Sequence, residues 1–187
     1  MFKKLYPYEY VESIFCINYQ KLLNKGYNSI IYDIDNTLVP HGKGSTYEVE
    51  QLFKYLHKIG FKTLLLSNNC DERIKEFNKN INTLYICDAE KPKKHNYLKA
   101  INMLNTDKKS TIYIGDQVFT DVFGANRSGI ANILVKYIGF HTETKIGIKR
   151  NLEKVILKLY RRNKSYQNRL DNIQLTKEEL FDVMEER

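Results

Sequence analysis

The sequence predicts a three-layer α/β/α domain, with a mainly parallel sheet of about five strands covered by helices on both faces. Three observations lead to it. Short β-branched runs alternate with segments of helical period, the connections between them are brief, and the polar residues that interrupt the apolar runs fall at their carboxyl ends. Strand–helix–strand units of this kind close right-handed. Ligands of such sheets bind beyond the carboxyl ends of the strands, so the third observation predicts a site as well as a fold.

Glu9 to Lys25 places apolar residues at Ile14, Ile17, Leu22 and Leu23 and meets Gly26, which predicts a helix appended ahead of the sheet. Ser29-Ile30-Ile31-Tyr32-Asp33-Ile34 has the β-branched character of a strand buried on both faces. Ser45 followed by Glu48 is a capping-box pattern; it opens a helix through Leu52, Phe53 and Leu56 that stops at Gly60. Phe61 to Leu66 is the next strand and runs into Ser67-Asn68-Asn69. A helix from Asp71 to Asn80, a weak strand at Leu84 to Cys87 and a helix between Pro92 and Leu104 follow. Ser110 to Ile114 is a strand, Val118 to Ser128 a helix, and Ile130 to Val135 the fifth strand; Lys149 to Arg162 is a second appended helix.

A chain of 187 residues is long enough for one domain with a sizeable core. Three scattered cysteines, Cys16, Cys70 and Cys87, form no CxxC pair, which argues against a disulfide framework or a zinc site and for a reducing, cytoplasmic setting. No apolar run approaches the roughly 20 residues needed to span a bilayer, and the basic residues of Met1 to Tyr10 lack the apolar stretch of a signal peptide. The net charge of +8 is local: Lys145 to Arg169 holds nine Lys or Arg against one acid, Glu153, while Leu170 to Arg187 holds six acids against two bases. One basic surface facing an anionic partner is the natural reading.

The site follows from the residues at the strand ends. Asp33 and Asp35, with Asp116 and Asp121, put four acids together, which requires a cation; Mg²⁺ takes oxygen ligands of this kind. Asp33, nearest the strand end, is the candidate nucleophile toward phosphorus, forming an aspartyl-phosphate. Asp35 is the candidate acid and base for the leaving alkoxide and the attacking water. Ser67 and the Asn68 amide supply hydrogen-bond donors to a phosphoryl group. Lys91 is either its positive partner or one solvated base among Lys91, Lys93 and Lys94.

Asp33-Ile34-Asp35-Asn36-Thr37-Leu38 resembles the DxDxT signature of the haloacid dehalogenase (HAD) superfamily. Ser67-Asn68-Asn69 resembles its second motif, Lys91-Pro92 its third, and Gly115-Asp116-Gln117-Val118-Phe119-Thr120-Asp121 its fourth. The resemblance implies a Rossmann-like core and an Mg²⁺-dependent phosphatase of phosphate monoesters. It implies that Asp33 and Asp116 bind the metal by their side chains and Asp35 by its backbone carbonyl, and that Lys91 is the charge partner of the nucleophile. For Asp121, direct and water-mediated contact with the metal both stay open. DIDNTLVP, SNN, Ala-x-Lys-Pro, GDQxxTDxxGAN and the basic last helix further resemble the YqeG-type, subfamily IIIA phosphatases, which are similar to phosphatases of phosphatidylglycerophosphate.

Leu38 to Phe61 and Asn69 to Lys91 are each too short for a lid domain, so the expected hydrolase is capless, spans residues 1–165 with both appended helices, and leaves residues 166–187 as an acidic tail or short helix. An open site suits a large substrate. Lys149 to Arg162 aligns Leu152, Val155, Ile156, Leu159 and Tyr160 on one face, with Lys154, Lys158, Arg161 and Arg162 elsewhere. It either packs that face on the domain or lies on an anionic membrane, and the two are compatible. Three functions stand side by side: a phosphatase of phosphatidylglycerophosphate at a membrane face; a phosphatase of soluble metabolites or phosphoproteins whose site an oligomer closes; and an inactive basic RNA-binding or scaffold protein. Against the third, Asp33, Asp35, Ser67, Lys91, Asp116 and Asp121 are all present and no RNA-binding signature is.

Overall fold

The computed structural model describes residues 2–138 and 148–176. Six strands, β1 (Glu9–Val11), β2 (Ser29–Tyr32), β3 (Lys62–Leu66), β4 (Leu84–Ile86), β5 (Thr111–Gly115) and β6 (Ala131–Val135), form one sheet in the order β1-β6-β5-β2-β3-β4. Every neighbouring pair is parallel. The three central strands are buried along their whole length except Lys62 at the start of β3, as β-branched runs between two helical layers should be.

Alternate strand residues feed the two faces. Ile30, Tyr32, Leu65, Ile112 and Ile114 pack against α1 (Tyr19–Asn24), α2 (Tyr47–Lys58) and α3 (Asp71–Asn78) through Leu22, Leu52, Phe53, Ile74 and Phe77. Ile31, Leu64, Leu66 and Tyr113 face α4 (Lys94–Met103) and α5 (Phe123–Ser128) through Tyr97, Ala100, Ile101 and Ala125. On the same side, α6 (Ile148–Arg162) sets Ile156 and Tyr160 against Val118, Val122 and Leu134. Each such buried side chain contributes about 1.5–3 kcal/mol, so these layers hold the strand ends, and the site with them, in place.

The first element departs from expectation. Glu9 to Lys25 is not one helix: Glu9–Val11 is a sixth strand paired with β6, Ile14–Cys16 a single 3₁₀ turn, and only Tyr19–Asn24 is α-helical. Three of the four periodic apolar residues are buried, but through separate short elements: Ile14 from the 3₁₀ turn, Ile17 from a bridge to Gln174, and Leu22 from α1, while Leu23 is only partly buried. The Tyr-Glu-Tyr-Val run favours a pleated edge, which tertiary pairing makes decisive. The cap of α2 also shifts by one residue: Thr46 accepts from the Val49 amide, while Ser45 bonds Glu50. The helix expected over Val118–Ser128 begins as a π turn, Val118–Val122, which continues into α5.

Past the expected boundary at residue 165 the chain still packs on the domain. Leu170 and Ile173 are buried in the core, the Leu170 amide donates to Glu9, and the Arg169 guanidinium lies 3.6 Å from the Tyr8 ring centroid. The acidic segment from Thr176 to Glu186, expected as a short helix or a tail, lies, apart from Thr176, outside the described residues. Leu38 to Phe61 holds a loop and α2, and Asn69 to Lys91 holds α3 and β4, so neither gap carries a lid.

Candidate active site

The carboxyl ends of β2 and β5 are neighbours in the sheet, and they carry the two acids that open the site. Asp33 continues β2 by donating its amide to the Ile114 carbonyl at 2.9 Å, and Asp116 follows Gly115 of β5. Asp121 returns to them because the π turn folds it back over β5, where Gly115 leaves the space: a methyl at Gly115 would lie 2.5 Å from Asp121 Cγ. Asp33, Asp116 and Asp121 each present an oxygen within 4.8 Å of the others, and all three are buried.

Two cations enter this cluster. Lys91 Nζ lies 2.5 Å from Asp33 Oδ1, 2.9 Å from Asp121 Oδ1 and 3.1 Å from the Tyr113 hydroxyl. Its side chain is only 4 % exposed, whereas Lys93 and Lys94 are exposed, so Lys91 is no ordinary solvated base. Arg150, reaching in from α6, pairs with Asp116. Thr37 Oγ1 lies 3.1 Å from Asp33 Oδ2 and 3.5 Å from Asp116 Oδ1. Asp121 Oδ1 also accepts from Tyr113, and its Oδ2 from the Gln117 amide.

Three carboxylates against two cations leave negative charge in a dry place, and the acids respond. Burial, opposed by Lys91 and reinforced by Asp121, pushes the Asp33 carboxyl up to about 6. Burial, with Asp33 and Asp121 beside it, pushes Asp116 well above the carboxylate range despite Arg150. Lys91 is held above its usual value: burial opposes its charge, but Asp121 and Asp33 outweigh that. An oxygen-only donor set that resists full ionisation fits a hard divalent cation, whose charge would let all three acids ionise.

Asp35 is placed differently. Asn36, at φ 62°, turns the chain after it, and the Asp35 carboxylate leaves the cluster. It accepts from the Gly42 amide at 3.0 Å, Asn69 Nδ2 at 2.5 Å and Arg73 at 3.3 Å. Burial would raise its pKa, but those hydrogen bonds and the charges of His41 and Arg73 hold it below the carboxylate range. Asp33 and Asp35 nonetheless line one cleft of about 160 Å³ with Ser67, Asn68, Lys91 and Thr120. Ser67 Oγ accepts from the Asn69 amide, and Asn68 Oδ1 accepts from the Lys91 amide, so the Asn68 side chain braces the loop that carries Lys91. Sequence reasoning missed Tyr113, Arg73 and Arg150. It quoted Thr37 within DxDxT and Asn69 within Ser67-Asn68-Asn69 without giving either a role.

A family model described as HAD-hydrolase-like matches residues 89–159, which carry Lys91, Asp116 and Asp121. "Probable phosphatase YqeG" of Bacillus subtilis (strain 168) is 33 % identical over 164 residues, covering 87 % of this chain and 95 % of that one. This chain belongs to the HAD-like hydrolase family. Among solved structures, an uncharacterized protein of Listeria monocytogenes serotype 4b aligns with a TM-score of 0.51 at 20 % identity, over 72 % of this chain and 99 % of the other. A Vibrio cholerae chain named for 3-deoxy-D-manno-octulosonate 8-phosphate phosphatase aligns at 0.50 and 14 % identity, over 77 % of this chain and 91 % of the other. At those identities the two structures speak for the HAD-like fold alone. As a HAD-like hydrolase with a phosphatase relative over most of its length, the protein is an enzyme of the phosphatase class, and its acidic trio is able to hold a metal ion.

Proposed function

We propose that this HAD-like phosphatase hydrolyses phosphate monoesters through an aspartyl-phosphate on Asp33, with Mg²⁺ bound by Asp33, Asp116 and Asp121 and by the Asp35 backbone carbonyl. The observation that carries this reading is the pairing of Asp33 with Lys91 at 2.5 Å in a cleft open to solvent. Lys91 keeps Asp33 more ionised than burial alone would allow, and ionisation is what a carboxylate nucleophile needs. The bound cation would supply electrostatic stabilisation of the charge on the transferred phosphoryl group.

In the first step a carboxylate oxygen of Asp33 bonds to phosphorus as the ester P–O bond breaks, and Asp35 gives a proton to the departing alkoxide. In the second, Asp35 takes a proton from the water that attacks the aspartyl-phosphate, releasing phosphate and restoring Asp33. The hydrogen bonds from Asn69 and Gly42 favour the ionised form of Asp35, which suits the second step better than the first. The Ser67 hydroxyl, the Asn68 amide and the Lys91 ammonium hold the phosphoryl oxygens.

The substrate reading extends to phosphatidylglycerophosphate at an anionic membrane surface, and α6 supports it. Its inner edge packs through Glu153, Ile156 and Tyr160, while Leu152, Val155 and Leu159 are 51 %, 56 % and 40 % exposed along one stripe. Lys158 and Arg162 are exposed beside that stripe. The apolar face expected from the sequence is therefore divided, part of it packed on the domain and part left outward with basic neighbours, a pattern suited to anionic lipid. No helix among the described residues is long and apolar enough to cross a membrane.

The test is phosphate release from short-chain phosphatidylglycerophosphate and from p-nitrophenyl phosphate, with and without Mg²⁺, using Asp33→Asn as control. The expected result is faster turnover of the lipid, dependent on Mg²⁺ and absent in the variant. Turnover of the aryl ester alone would keep the mechanism and replace the lipid by a soluble phosphate or phosphoprotein. No turnover of either, with tight RNA binding, would overturn the enzymatic reading.

A further inference from the structure

The two carboxylate oxygens of Asp116 have different company. Oδ1 is 3.5 Å from Thr37 Oγ1, itself 3.1 Å from Asp33 Oδ2, so Oδ1 is the oxygen turned to the nucleophile. Oδ2 accepts from Nη2 of Arg150 on α6. The same guanidinium donates through Nη1 to the Asp116 backbone carbonyl at 3.1 Å and to Glu153 Oε2 at 2.9 Å. Glu153 completes the link: its Oε1 accepts from the Val118 amide at 2.8 Å. The Arg150 guanidinium carbon lies 4.4 Å from the centroid of the Tyr137 ring.

Arg150 thus grips the backbone and the carboxylate of one residue together, and Glu153 grips the loop two residues on. Glu153 is the single acid in the strongly basic stretch from Lys145 to Arg169, and it is buried. A buried acid so placed has to be held for a partner. A planar fork can fix a carboxylate rotamer in a way that a point charge on a flexible stem cannot.

We propose that Arg150, set by Glu153, is a positioning residue for cation binding: it holds Asp116 Oδ2 so that Oδ1 is presented to the ion shared with Asp33 and Asp121. This rests on the cation reading given above. Two effects of Arg150 oppose each other, since its charge repels a divalent ion while its geometry orients a ligand. Arg150→Lys separates them by keeping the charge and losing the fork.

The experiment is calorimetric titration of Mg²⁺ into the full chain, wild type and variants, with thermal melting of each. Arg150→Lys is expected to bind Mg²⁺ about 10-fold or more weakly, the usual loss when a group that orients a metal ligand is removed. Ile156→Ala, which loosens α6 without touching the ion pair, is expected to melt lower yet keep its affinity within about twofold, because it shares no partner with Asp116. Wild-type affinity in Arg150→Lys would overturn the proposal, and so would an equal loss in Ile156→Ala. Should Arg150→Lys fail to fold, Glu153→Gln keeps an acceptor for Val118 but no longer sets Arg150; unchanged affinity there would also overturn it. A wild-type chain that binds no Mg²⁺ overturns the cation reading and this proposal together, whereas binding that Arg150→Lys leaves intact overturns only the role of Arg150.

Discussion

Asp33 and Asp35 have a single residue between them, and the structure treats them as opposites. Asp33 sits in a dry cluster with two further acids, and its carboxyl is pushed up to about 6. Asp35 sits at the mouth, held by Asn69, Gly42, Arg73 and His41, with its carboxyl held down. Environment, rather than residue type, sends the two carboxyls in opposite directions, Asp33 up and Asp35 down. The inner acid is governed by shared charge and the outer one by hydrogen bonds, so each should respond to a different insult.

The sharpest break is Asp33→Asn. It should lower turnover by about 10⁴-fold or more, as removal of a covalent nucleophile does, while circular dichroism and melting show the fold retained. Activity near wild type would refute the covalent step. Asp35→Asn should cost about 10²–10⁴-fold, and more for alkyl phosphates than for p-nitrophenyl phosphate, whose leaving group needs no proton. Equal losses on both substrates would remove Asp35 from the acid role.

Two smaller effects test the inner site alone. Gly115→Ala drives a methyl to within 2.6 Å of Asp121 Cβ, and should destabilise by about 1–3 kcal/mol and weaken Mg²⁺ binding. An unchanged melting temperature would show that the π turn relaxes freely. The last concerns pH. The folded Asp33 carboxyl, at about 6, lies above its ordinary 3.8, so its stabilising contribution is complete below that value and is lost as pH rises through about 6. With chelator present, the chain should therefore melt higher at pH 5 than at pH 7, by roughly 2–4 °C for each kcal/mol recovered. Saturating Mg²⁺ should remove that difference, because the ion favours the ionised acids.

The residues of the site also differ in how legible they were, whichever half they belong to. Asp33, Asp35, Ser67, Lys91 and Asp116 stand at or close behind strand ends, and a parallel sheet gathers its strand ends; the pattern of apolar runs was enough to bring them together. Arg150 was not legible. Its contact joins residues 34 apart in the chain, and nothing in the composition separates it from the other bases of α6. The available signal was Glu153, a lone acid among nine bases, whose burial the structure supplies. The first strand was misread for a different reason. Glu9–Val11 is three residues long, and a short apolar run carries too little period to tell a strand from a helix until β6 is beside it. The sheet centre was legible because its burial is written in every residue, and the edge strand β4 was read as a weak strand; the other edge, β1, was not legible, because its pairing is decided by a neighbour.

The reach of Arg150 into the site has a consequence for the order in which the enzyme is made. Synthesis delivers Asp33 early, Asp116 and Asp121 much later, and Arg150 last of all. Lys91 precedes the second and third acids, so a chain still on the ribosome with the π turn Val118–Val122 complete carries the whole acidic trio with one of its two balancing cations. Strand β1 is stranded too, since its one partner among the described residues, β6, is also made late. The emerging domain therefore holds its most repulsive charges and an unpaired edge until the basic helix appears, and the same helix relieves the first while the strand before it relieves the second. A premature stop anywhere ahead of α6 should give a product lacking not just a surface helix but the means to finish folding its own centre.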